Sequence, residues 1–78
     1  MITVKYFGAI AEKTGSQAED FSFSDMPLRH LLSALEQKYQ FGNLSFSVAI
    51  NQKIIQDTLE YQLKKNDIIA LLPPFAGG

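Results

Sequence analysis

Apolar and polar positions alternate from the second residue. In Ile2-Thr3-Val4-Lys5-Tyr6-Phe7, Ile2, Val4 and Tyr6 fall on one side, and Thr3, Lys5 and Phe7 on the other. This period of two, in residues that fit a pleated surface, predicts a strand. Residues 8–18 are small and polar, with Ala9-Ile10-Ala11-Glu12-Lys13 expected to form a helical turn. Glu19-Asp20-Phe21-Ser22-Phe23 alternates again and is expected to pair with the first strand, Phe21 and Phe23 inward. The period then changes. Leu28, Leu31, Leu32, Leu35 and Tyr39 recur at i, i+3, i+4, i+7 and i+11, the stripe of an amphipathic helix over about residues 27–40. Ser24 or Asp25 is the expected cap, Pro27 suits the first turn, and Gly42 is expected to terminate the helix in left-handed conformation. His30 lies off the stripe and reads as a solvated residue.

The second half returns to strands. Phe46-Ser47-Val48-Ala49-Ile50-Asn51 places Phe46, Val48 and Ile50 inward. A tight turn at Asn51-Gln52 leads into a short strand, Lys53-Ile54-Ile55. Leu59, Tyr61 and Leu63 fall in irregular or short-helical structure, and Lys65-Asn66-Asp67 is a turn in which Asn66 tolerates left-handed backbone. Ile68-Ile69-Ala70-Leu71-Leu72 is apolar on both faces and therefore reads as a central strand. Placing it beside and parallel to the first strand, with a right-handed crossover through the helix, gives an α+β fold. This is a β-grasp, or ubiquitin-like, roll: a mixed sheet with one main helix packed on one face. The domain is expected over residues 1–72, with residues 73–78 a flexible tail. One helix covers only one face of the sheet. The other is left to Phe7, Ala49, Ile68, Ala70 and Leu72, more apolar surface than a monomer needs, and is expected to bind a partner.

Composition narrows the chemistry. A chain of 78 residues makes one domain with a small core. Its net charge of −1, with no basic cluster beyond Lys64-Lys65, gives no support to nucleic-acid binding. No signal-peptide pattern opens the sequence and no apolar run approaches a membrane span, so the expected address is the cytoplasm, away from membranes. There is no cysteine and one histidine, which excludes a thiol nucleophile, a thiolate metal site and a multi-histidine metal site. The eight acids are scattered and read as solvated surface; no glycine-rich loop precedes a helix to cradle phosphate.

The tail remains. Pro73 and Pro74 end the last strand, since proline donates no ladder hydrogen bond. From Phe75 through Ala76 to Gly77 and Gly78 the side chains then shrink to nothing, a taper suited to threading through a narrow channel. The Gly78 carboxylate is unhindered. Adenylation would convert one of its oxygens into a leaving group, and a sulfur nucleophile displacing AMP would leave a thiocarboxylate.

These features resemble the small subunits of molybdopterin synthase, a family of ubiquitin-like sulfur carriers. The resemblance is carried by Asp67-Ile68-Ile69-Ala70-Leu71-Leu72-Pro73-Pro74-Phe75-Ala76-Gly77-Gly78, by Val4-Lys5-Tyr6-Phe7-Gly8 with Ala11-Glu12 and Thr14-Gly15, and by Ala49-Ile50-Asn51-Gln52. It departs from the family at Ala11, where arginine is frequent, and at Phe75, where a small aliphatic residue is common.

The resemblance implies a sulfurtransferase subunit with no active site of its own. Gly78 would be adenylated by a ubiquitin-activating-type enzyme at the expense of ATP, through a transient acyl adenylate, and charged with sulfur from a donor protein. The tail, Pro73 to Gly77, would enter the large subunit and deliver sulfur to cyclic pyranopterin monophosphate, forming the molybdopterin dithiolene. The implied assembly has two small and two large subunits and no permanently bound cofactor or metal. A thiamine-pathway sulfur carrier and a ubiquitin-like modifier or interaction module share the fold and the Gly-Gly ending, and stay open as alternatives.

Overall fold

The computed structural model describes residues 1–22, 25–42, 44–56 and 60–73. Its elements run β1 (Ile2–Tyr6), α1 (Gly8–Thr14), β2 (Ala18–Phe21), α2 (Leu28–Tyr39), β3 (Ser47–Ile50), β4 (Lys53–Ile55) and β5 (Ile68–Leu72). The five strands form one sheet in the order β2-β1-β5-β3-β4. The strand that is apolar on both faces, β5, lies at its centre. It runs parallel to β1, with Thr3 opposite Ile68 and Tyr6 opposite Leu71, and antiparallel to β3, with Ala49 opposite Ala70. β2 and β4 are the edges. This is the β-grasp arrangement expected from the sequence.

The alternation in the strands decides which residues meet the helix. Ile2, Val4 and Tyr6 of β1, Ile69 and Leu71 of β5, and Val48 and Ile50 of β3 form the core with Leu28, Leu31 and Leu35 of α2. Leu32 and Tyr39 are only half buried and pack at its margin. Ile10 of α1, Phe41 and Leu63 complete the core. The single turn expected at Ala9–Lys13 is thus a seven-residue helix that buries Ile10.

Both ends of α2 differ from expectation. The residue at its N-cap position is Pro27, in extended conformation and without a side-chain cap, so Asp25 does not cap it; Ser24 and Phe23 lie outside the described residues. The backbone of residues 61–63 holds this end instead. Leu28 N–H donates to the Tyr61 carbonyl at 2.8 Å, and Leu63 N–H to the Met26 carbonyl at 3.1 Å. This explains why Leu63, read as irregular, is fully buried. At the other end the C-cap is Gln40, left-handed two positions before Gly42, which is left-handed as expected with φ of +62°. Glu36 closes that end: its carboxylate accepts from Phe41 N–H at 2.6 Å and from Gly42 N–H at 3.3 Å. A carboxylate on the last turn supplies locally the acceptor that continued helix would have provided.

One polar hub fastens edge strand β2 to α2. Glu19 Oε1 accepts from the Tyr6 hydroxyl at 2.7 Å and from the Tyr39 hydroxyl, while Glu19 Oε2 accepts from Lys38 Nζ at 2.9 Å. The Tyr6 and Tyr39 rings meet edge to face at 6.1 Å, and Tyr39 stacks on Phe41 at 6.0 Å. Burial opposes the Glu19 charge, but the Tyr39 and Tyr6 hydroxyls and the Lys38 ammonium outweigh it and hold the carboxyl below its usual range. Burial and the Glu19 carboxylate push the Tyr6 phenol well above the usual tyrosine range.

Because the folded Glu19 value lies below the unfolded one, its contribution is present above the ordinary carboxylate range and disappears as pH falls through the folded value. Glu19→Gln keeps the shape and loses the charge. It is expected to cost about 1.5–3 kcal/mol at neutral pH, as for hydrogen bonds to a charged group. In urea melts the gap from wild type should close as the pH is lowered below about 4. A gap independent of pH would show that the carboxylate charge does not fasten the hub.

Candidate functional site

The central strand is fixed at its start. Asp67 is 4% exposed, against the expectation that the acids are all solvated. Its carboxylate accepts from Asn51 Nδ2 at 3.0 Å, from the Tyr61 hydroxyl at 3.1 Å and from Lys64 N–H at 2.8 Å. Asn51 Oδ1 accepts from Ile68 N–H at 3.0 Å, and Asn51 N–H donates to the Ile68 carbonyl at 2.8 Å. The β3–β4 turn, left-handed at both Asn51 and Gln52, thereby grips the first residue of β5. Thr3 N–H donates to the Asp67 carbonyl from the other side. Burial and Asp67 raise the Tyr61 phenol above its usual range, so it stays a donor across the physiological range.

From this anchor β5 runs between β1 and β3 to Leu72 and delivers the chain to Pro73, which is exposed. Pro74, Phe75, Ala76, Gly77 and Gly78 lie outside the described residues. The anchor and the tail are at opposite ends of one strand, so the rigid sheet carries the anchor's position to the point where the tail begins.

The uncovered sheet face lies beside that exit. Phe7 is 43% exposed and Ile68 42%, while Ala70 and Leu72 are half buried. Ala49 is a correction: it is only 5% exposed and offers no contact surface. It sits opposite Ala70 on one neighbouring strand and Ile54 on the other, and its single methyl does not rise above the sheet. Ile54 on β4, which the sequence reading left out, is 48% exposed. Its apolar character and its cross-strand position beside Ala49 are the signals that could have found it. Between Phe7 and Ile68 the face dips into a depression of about 310 Å³, lined also by Lys5, Ala70, Asn51 and Gln52. An apolar floor with a lysine and two amides at its rim suits a protein side chain better than a small charged metabolite.

No group of three His, Cys, Asp or Glu side chains positioned to hold a metal occurs among the described residues. Nor is any helix among them long and apolar enough to cross a membrane. His30 is exposed on α2.

Comparison with known proteins supplies the family. The model of the ThiS family matches residues 4–78, nearly the entire chain. The chain belongs to the ThiS family. Its members are ubiquitin-like sulfur carriers with the β-grasp fold. No curated protein matches the chain. Among solved structures, one that is similar is the complex of subunits 1 and 2 of molybdopterin-converting factor from Helicobacter pylori, with 29% identity, a TM-score of 0.73 and coverage of 99% of this chain and 97% of that one. SAMP1 from Haloferax volcanii is 26% identical, with a TM-score of 0.76 and coverage of 99% and 98%. A Pyrococcus furiosus protein assigned as molybdopterin converting factor subunit 1 shares the fold with a TM-score of 0.82, at 19% identity over 95% and 97% of the two chains.

The Asp67 anchor is open to a direct test. Asp67→Ala removes an acceptor from three donors at once and is expected to cost about 1–3 kcal/mol in chemical denaturation, the usual penalty for stranding buried polar groups. Amide exchange should quicken at Ile68 more than at Leu71. Unchanged exchange at Ile68 would show that the anchor does not hold the strand.

Proposed function

We propose that this chain is the sulfur-carrying small subunit of molybdopterin synthase. The observation that carries the reading is the ending Pro73-Pro74-Phe75-Ala76-Gly77-Gly78, which follows in sequence a central strand whose outer face is apolar. The family match and the similarity to the Helicobacter pylori two-subunit complex support it.

In this reading the Gly78 carboxylate attacks the α-phosphorus of ATP on a ubiquitin-activating-type enzyme. Pyrophosphate leaves and an acyl adenylate forms. Sulfide displaces AMP to give the thiocarboxylate directly; a donor protein's persulfide gives an acyl disulfide instead, from which a second thiol of the donor releases the thiocarboxylate and leaves a disulfide behind. The thiocarboxylate is anionic and nucleophilic at neutral pH. The large subunit takes the tail into its pocket, where the sulfur passes to cyclic pyranopterin monophosphate, and water restores the carboxylate. ATP is consumed by the activating enzyme, and no cofactor resides in this chain. Phe7, Ile68, Ala70 and Leu72 form the docking face, and the working assembly pairs two small with two large subunits. The chain acts in the cytoplasm.

Similarity to SAMP1 favours a second reading, in which the same activated glycine is transferred to an amine as a protein modifier. The two readings part at the acceptor. Intact mass after incubation with activating enzyme, ATP and a sulfur source should rise by about 16 Da, one oxygen exchanged for sulfur. The charged protein should then make dithiolene product with the large subunit. Lysine conjugates without product would establish the modifier reading instead.

Two variants separate tail from face. Deleting Gly78 leaves the carboxylate about 3.5 Å short, one extended residue. Reacting atoms must sit about 3–3.5 Å apart, so turnover should vanish with no change in the melting curve. A deletion variant that still accepts sulfur and supports normal turnover would sink the proposal. Phe7→Asp and Ile68→Asp should stay folded but bind the large subunit at least tenfold more weakly, because a charge would be buried unpaired at the contact, at a cost above about 1.4 kcal/mol. Unaltered affinity in calorimetry would exclude this face.

A further inference from the structure

Gly8 stands where β1 turns into α1, and its backbone is left-handed, with φ of +58°. In the parallel register of β1 and β5, Tyr6 lies opposite Leu71, and just past the ends of both strands Gly8 comes beside Pro73. The contact is close. A Cβ on Gly8 would lie 3.3 Å from Pro73 Cγ and 3.6 Å from its Cβ. Carbon atoms prefer about 3.5–4.0 Å, so any side chain here pushes the proline ring outward.

Pro73 is the first residue beyond the sheet, and its ring fixes one of the two backbone angles there. It also confines Leu72 to extended backbone. The direction in which the chain leaves the sheet is therefore set by β5 on one side and by the bare backbone of Gly8 on the other. We infer that Gly8 is a positioning residue: its missing side chain lets Pro73 seat against the start of α1 and so aims the tail. Five residues follow Pro73, up to roughly 17 Å of chain at about 3.5 Å each. A few tenths of an ångström at Pro73 change the direction from which those residues start, and about 1 Å of misplacement costs up to 100-fold in a positioned reaction.

The molecule contains its own control. Gly15, at the other end of α1, has φ of +72° and nothing within 4 Å of a Cβ built on it. Gly15→Ala carries the same left-handed backbone strain without touching the tail. The two variants should lose similar amounts of thermal stability. In single-turnover sulfur transfer with the large subunit, Gly15→Ala should match wild type and Gly8→Ala should fall about tenfold at saturating partner. Equal rates for the two glycine variants would overturn the inference.

The rate assay rests on the sulfur-carrier reading above. A second measurement does not: amide chemical shifts and residual dipolar couplings of residues 75–78 in the free chain should change in Gly8→Ala and stay as wild type in Gly15→Ala. Should the wild-type chain take up no sulfur, that reading falls, and the tail-orientation comparison decides the role of Gly8 alone. Identical tail signals in both variants would overturn it.

Discussion

The pairing of β5 between β1 and β3 is the constraint on which the remaining structure depends. A five-residue strand with five apolar side chains has no stable place at an edge, where one row of backbone groups would face water beside Ile and Leu. In the middle both rows are bonded, Ile69 and Leu71 enter the core, and the opposite side chains have nowhere to go but the uncovered face. Core stability and an apolar outer surface thus come from the same five residues.

Much of this was legible in the sequence, because the signals were local. The period-two runs gave β1 and β3, the leucine stripe gave α2, and the central position of β5 followed from its two apolar faces. What could not be read depends on residues far apart in the chain. Asp67 is buried because Asn51, sixteen positions earlier, and Tyr61 supply donors, and no local pattern distinguishes it from the solvated acids. The start of α2 needs no side-chain cap because residues 61–63 satisfy it. Gly42 is left-handed as its position suggested, yet the helix already ends two residues sooner at a left-handed Gln40, with Glu36 reaching over the end.

The candidate site was legible in a different way. The tail announces itself by composition: two prolines, then side chains of falling size. Strand parity put Phe7 and Ile68 on the exposed side of the sheet, with Ala70 and Leu72 half buried there, but could not see that Ala49 is buried between its neighbours. Parity gives direction and says nothing of height. Ile54 illustrates the converse, a protruding side chain on an edge strand that the pattern of that short segment did not flag.

The two sheet edges have a consequence for how the chain behaves in a crowded solution. β2 presents Glu19 and Asp20, already engaged by Lys38 and Thr3, and β4 is only three residues long and begins with a lysine. A strand arriving at β4 finds too short a ladder to hold it, and one arriving at β2 meets a pair of acids. Runaway sheet growth is therefore blocked at both margins, and an exposed apolar face can be tolerated on a small domain without the chain stacking into fibres.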